Sequence, residues 1–199
     1  MLSTKWMIPV VCASTFLAAQ SVADINSLEA VASHYVSGGM ASSHDPQALN
    51  LCKVAGDAGG PIPGLLMGKA ADVQHWTFLY RIATGQAGAQ EDPSAPSAEP
   101  HRSVLAECTE GVFGNFRYSP DSVSGLKSLD NTWVAVPLDA AISSLVAIGY
   151  PWGFDRVAII RPDGGSLSDD MVYVFDCPTV RQEVAVSCQT GALAWTVSY

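Results

Sequence analysis

The clearest pattern of apolar and polar positions lies in the last third of the chain. From Pro137 to Gly149, Leu138, Ala141, Ile142, Leu145 and Ile148 recur at spacings of three and four, which makes one stripe of an amphipathic helix. Pro137 suits the first helical turn, where its missing N–H costs nothing, and Asp139 sits near the positive end of the helix dipole. Gly149 offers the left-handed residue that ends a helix, and Pro151 blocks continuation. Three strand-like runs follow, at Arg156–Arg161, Met171–Asp176 and Glu183–Ser187. Pro162-Asp163-Gly164-Gly165 forms a turn cluster after the first of them. Thr190-Gly191 reads as a tight turn, and Ala192–Tyr199 as a returning strand. A helix laid on an antiparallel sheet lets both bury their apolar faces, so the expected fold class is α+β.

The first half carries a weaker version of the same order. Asn26-Ser27 would cap a helix whose Leu28, Val31 and Tyr35 share a face, with Gly38-Gly39 ending it. Val73–Ile82, Arg102–Cys108 and Gly111–Tyr118 read as strands. Ser27-Leu28-Glu29-Ala30-Val31 parallels Pro137-Leu138-Asp139-Ala140-Ala141, which suggests two helix-plus-sheet units in tandem; a chance match of short amphipathic helices is the competing explanation. Ala55–Gly68, rich in glycine and proline around Leu65-Leu66-Met67, and Gly85–Pro100 read as irregular, the second as a polar loop or linker.

The helix start at Pro137–Ile142, the strands after it, and Val184-Ala185-Val186-Ser187 leading to Thr190-Gly191-Ala192-Leu193-Ala194-Trp195 resemble the PepSY module of small periplasmic domains. The likeness covers about a third of the chain. It lacks the family's Asp before the Thr-Gly turn, where Ser187-Cys188-Gln189 stands. It implies binding to, or inhibition of, proteins outside the cytoplasm, proteases among them, and not catalysis.

The beginning of the chain changes the setting. Lys5, the apolar run Trp6–Ala19 and the small-residue ending Gln20-Ser21-Val22-Ala23 have the form of a secretory signal peptide cut after Ala23. The run falls short of the roughly 20 residues that span a bilayer. Cys12 does not fit a lipid attachment site, because Val11 precedes it where a small residue is wanted. The expected organisation is residues 1–23 as signal, 24–135 as an N-terminal half and 136–199 as the PepSY-like unit. The product is expected in the periplasm or secreted, with no membrane insertion after cleavage. The formal charge is −9 and becomes more negative once Lys5 leaves. That disfavours nucleic acid and anionic lipid and favours basic protein partners, although acidity also serves solubility alone.

Beyond Cys12 four cysteines remain, Cys52, Cys108, Cys177 and Cys188. An even number in an exported chain points to two disulfides, with three connectivities open. A hairpin joining 171–177 to 183–188 would hold Cys177 and Cys188 about 15 Å apart and on opposite faces, beyond the ~7 Å limit between Cα atoms, so cross-pairing with Cys52 and Cys108 is favoured. The spacings lack a C-x-x-C pair, so no metal site is expected.

Catalytic signatures are absent: no G-x-S-x-G, no H-E-x-x-H, no phosphate-binding glycine loop and no dinucleotide fingerprint. No cofactor is implied. Asp169-Asp170, beside serines, reads as a solvated turn. The candidate partner-binding residues are Tyr150, Trp152, Phe154 and Asp155, in a turn where glycine and proline hinder regular burial. The competing reading folds Trp152 or Phe154 back onto the core. The leading expectation is a non-enzymatic envelope binding or inhibitory protein, such as an immunity protein against a toxin, cell-wall hydrolase or protease. Its alternatives are an envelope hydrolase using His75 and aspartates, and a structural envelope component.

Overall fold

The computed structural model describes residues 32, 34, 36, 48–60, 64–83, 103–110, 112–114, 117–119, 125–129, 134–163 and 170–199. The expected signal peptide, the linker at 85–100 and most of the turn after Pro162 lie outside them. The strands are β1 (Ala48–Asp57), β2 (His75–Ala83), β3 (Ser103–Thr109), β4 (Val112–Phe113), β5 (Arg117–Ser119), β6 (Arg156–Ile160), β7 (Val172–Cys177), β8 (Gln182–Ser187) and β9 (Leu193–Ser198). The helix α1 spans Leu138–Ala147, and a short 3-10 turn covers Ala70–Asp72.

All nine strands belong to one sheet in the order β4-β3-β2-β1-β6-β7-β8-β9, with β5 pairing β3 beside β4. Every pairing is antiparallel. This corrects the α+β expectation: the protein is mainly β, with one described α-helix of full length against a continuous sheet and not two helix-plus-sheet units side by side. The physical reason is β1. It pairs β2 on one edge and β6 on the other, with Ala55 opposite both Thr77 and Ala158, and so joins the strands that precede α1 to those that follow it.

Alternation along the strands sorts the side chains. Val54, Trp76, Phe78, Tyr80, Val104, Ala106, Val157, Ile159, Tyr173, Phe175, Val184 and Val186 face the main core. Helix α1 lies on this inner face and buries Leu138, Ala141, Ile142 and Leu145. Each of the three large side chains contributes roughly 1.5–3 kcal/mol of transfer free energy there. Ile148 lies beyond the last helical residue and stays exposed, because Gly149 at φ 106° turns the chain away. Asp139 accepts a hydrogen bond from the Ala70 N–H at 3.0 Å, tying the first turn of α1 to the 3-10 turn. Ala32 and Val36, both helical and buried, join the same core.

The other face of the sheet holds two smaller apolar clusters. Cys52 and Leu79 pack with Leu105 and Leu126, and Val172, Val174 and Ala185 pack with Ile160, Ala194 and Trp195. No helix among the described residues is long and apolar enough to cross a membrane.

Candidate functional site

The turn from Gly149 to Asp155 leaves α1 and enters β6, and the structure separates the four residues expected to act together there. Phe154 is fully buried, its ring meeting Phe175 edge-on at 4.9 Å. Its backbone forms a two-bond bridge with Met67: Met67 N–H to Phe154 O at 2.7 Å and Phe154 N–H to Met67 O at 3.1 Å. Tyr150 is half-buried, and its hydroxyl donates to Gln182 Oε1 at 2.7 Å, which pins the turn to β8. Trp152, between these two anchors, is 52% exposed.

The anchors account for the geometry. Phe154 goes inward because a benzene ring in water forfeits the packing it finds against Phe175. Gly153 then reverses the chain at φ 84°. A Cβ there would stand 2.7 Å from Met67 O, so the bridge with Met67 requires glycine. Trp152 is left pointing out. The Met67 bridge sets residues 65–68 alongside the turn, and Leu65 and Leu66 are 51% and 44% exposed. The result is a surface of Trp152, Leu65 and Leu66 carried by two chain segments whose backbones are fixed to each other.

Asp155 ends the turn. Its N–H donates to Asp176 O at 3.1 Å, while its Oδ1 is shielded from water and accepts no hydrogen bond from the described residues. Desolvation, then the neighbouring Asp176 carboxylate, push its pKa above the ordinary value of 3.8. Tyr199 donates its hydroxyl to Asp176 Oδ1, and this bond pushes its own pKa up to about 12. Asp155 therefore seats the strand through its backbone N–H, and its carboxylate is half-buried and not an open charge beside Trp152.

The four cysteines are all buried, and among the described residues no disulfide joins them. Cys108, Cys177 and Cys188 face the main core and Cys52 the opposite face. Cys177 pairs in register with Gln182, so Cys188 lies at the other end of the β7–β8 hairpin, about 20 Å away at ~3.3 Å per residue. The hairpin register is as expected; the two thiols, however, share the core face instead of opposing ones. Cys108 stands on β3, two strands from Cys52 on β1 and four from Cys177 on β7 at ~4.8 Å per strand, out of bonding reach of either. Burial pushes the Cys177 thiol up to about 11 and the Cys188 thiol higher still.

Of the histidines, His75 sits on β2 with Nδ1 at 3.2 Å from Asp57 Oδ2. Thr77, one position further along the same face, gives its hydroxyl to Ala55 O at 3.3 Å and so is not turned toward the pair. Among the described residues no three His, Cys, Asp or Glu side chains converge to hold a metal ion.

The fold defines a class: a mainly β protein built on one open antiparallel sheet, covered on its inner face by a single described α-helix of full length. No family model matches the chain, and no curated protein matches it. Among solved structures, that of a "putative lipoprotein" from Clostridium difficile 630 is similar over 86% of this chain and 90% of that one, at 6% identity and a TM-score of 0.47.

Leu65 and Leu66 were the part of the surface that the sequence concealed. Two consecutive leucines inside a glycine- and proline-rich stretch were the available signal, since such a stretch rarely buries both.

Proposed function

We propose that the protein is a non-enzymatic binding protein of the cell envelope, exported to the periplasm or beyond, that blocks a basic protein partner through the Trp152–Leu65–Leu66 surface. One observation carries the reading: three large apolar side chains are held about half exposed on backbone that is anchored on both sides, by Tyr150 and Phe154. Rigid, exposed aromatic area of this kind binds with little loss of conformational freedom and is enriched at interface hot spots. The formal charge of −9 favours a basic partner and would speed its association. An inhibitor or an immunity protein works in this way, occluding a site with a preformed loop.

The test is retention of basic proteins from envelope and secreted extracts on the immobilised protein and on its Trp152→Ala variant. The expected result is a basic protein held by the first, released as salt rises, and not held by the second. Equal retention by both, or none by either, defeats the reading. The envelope-hydrolase alternative rests on the His75–Asp57 pair, and His75→Ala leaving every hydrolytic phenotype intact removes it.

A further inference from the structure

The sheet's other face carries a cavity unrelated to the Trp152 turn. It has a volume of about 430 Å³ and is lined by Lys53, Ala55, Asp57, Thr77, Leu79, Leu105, Leu126 and Arg156. The register explains its shape. Lys53, Leu79 and Leu105 are consecutive cross-strand neighbours on β1, β2 and β3 and form one row. Ala55, flanked by Thr77 and Ala158, forms the next row, and Asp57, flanked by His75 and Arg156, the third. The middle row is short-chained, so a trough runs between the row of Leu79 and Leu105, with Lys53 at its β1 end, and the charged row of Asp57, His75 and Arg156. Leu126 closes the leucine side from the segment Gly125–Leu129, which is held in place by Arg81 Nη2 donating to Leu126 O at 2.9 Å.

The charges are uneven. Asp57 is engaged: its Oδ1 accepts from the Gly59 N–H at 2.8 Å and its Oδ2 faces His75. Lys53 and Arg156 form no ion pair among the described residues, although the chain has 19 acidic side chains and only 10 Lys and Arg to match them. Arg156 stands in register between Asp57 and Asp176 and feels the nearby Asp155 carboxylate, yet its guanidinium, like the Lys53 ammonium, closes no ion pair among the described residues, so both can still take an anion from outside. The rest of the lining offers three leucines and no aromatic ring, so the body of such an anion would be aliphatic, with nothing to stack upon.

We propose that this cavity binds an aliphatic carboxylate, with the head group at Lys53 and Arg156 and the hydrocarbon body on Leu79, Leu105 and Leu126. Charge-assisted hydrogen bonds hold the head, and leucine contacts select the tail. The site shares no residue with the Trp152 surface and stands or falls separately from it.

Octanoate, with octanol and hydrocinnamate as comparisons, is titrated into the full chain and followed by methyl NMR shifts and calorimetry. Octanoate should saturate and move the methyls of Ala55, Leu79, Leu105 and Leu126. Octanol should bind at least about tenfold more weakly, and hydrocinnamate should also be the weaker ligand. Lys53→Gln and Arg156→Gln, both changes of at least partly exposed side chains, should each weaken octanoate about fivefold or more while circular dichroism stays unchanged. Ala55→Leu should abolish binding by filling the trough, and Trp152→Ala should leave it intact. Shifts confined to other residues, octanol binding as tightly as octanoate, or unchanged affinity in both charge variants would overturn the proposal. Should Ala55→Leu fail to fold, the two charge variants decide the matter.

Discussion

Neighbouring aromatics in the 149–155 turn should behave as opposites when each is cut to alanine. Phe154 is fully buried and packs edge-on against Phe175 at 4.9 Å, so Phe154→Ala removes a core ring and leaves a cavity. Losses of this kind run to about 3–5 kcal/mol, of which the aromatic pair itself accounts for roughly 0.5–1.5 kcal/mol. For a chain of 199 residues that corresponds to a fall in Tm of about 6–20 °C. Trp152, 52% exposed, should cost within about 0.5 kcal/mol, a shift of at most about 2 °C. Thermal unfolding of both variants by far-UV circular dichroism, backed by urea titration, measures the contrast. A Trp152→Ala loss as large as that of Phe154→Ala would show that Trp152 is a core residue, and the docking surface would have no basis.

Gly153→Ala should destabilise by about 1–2 kcal/mol for the left-handed backbone alone, and more for the contact with Met67 O, so denaturant unfolding should rank it well above Trp152→Ala. Asp155 has a folded pKa above its unfolded one, so the folded state binds the proton more tightly. Its contribution therefore favours folding at low pH and is lost as pH rises past 3.8 through the raised value. Asp155→Asn should flatten that part of the pH–stability curve and raise neutral-pH stability slightly; a variant less stable at neutral pH contradicts the assignment. Unreduced protein, alkylated in denaturant and read by mass spectrometry, should carry the label at Cys52, Cys108, Cys177 and Cys188, whereas native protein should leave Cys177 and Cys188 unlabelled.

Much of the local structure was legible in the sequence because period and punctuation agreed. The 3–4 spacing from Leu138 to Leu145, with Gly149 and Pro151 behind it, marked α1 to within a residue or two. The β-branched runs before Pro162 and around Tyr173 marked β6 and β7, and Glu183–Ser187 marked β8. What escaped was β1, the strand on which the architecture turns. Its irregular register between Leu51 and Lys53 breaks the two-residue period, so Cys52 and Lys53 both face away from the main core, between Leu51 and Val54, which face it. Its last residues, Gly56 and Asp57, resemble a turn. Gly56 is there for packing, since a Cβ would stand 2.5 Å from Val73 Cγ1 and 2.9 Å from the Trp76 ring. Without β1 the two halves read as separate units and the fold as α+β; with it they close into one sheet.

The candidate site was half legible for a related reason. Sequence showed that aromatics crowd residues 150–154, but not which one the core would claim. Phe175, the partner that takes Phe154, is 21 positions away, and Gln182, which holds Tyr150, is further still. Lys53 and Arg156 became visible as a pair only once the β1–β6 register placed their side chains on one face.

Whether a partner sits on the Trp152 surface is read most directly by amide hydrogen exchange of the protein alone and in complex with the basic protein it retains. Added protection at residues 65–68 and 150–154, with the outer face around Ala55 and Thr77 unchanged, is the expected footprint. Protection that appears elsewhere while those two segments exchange as before would contradict it.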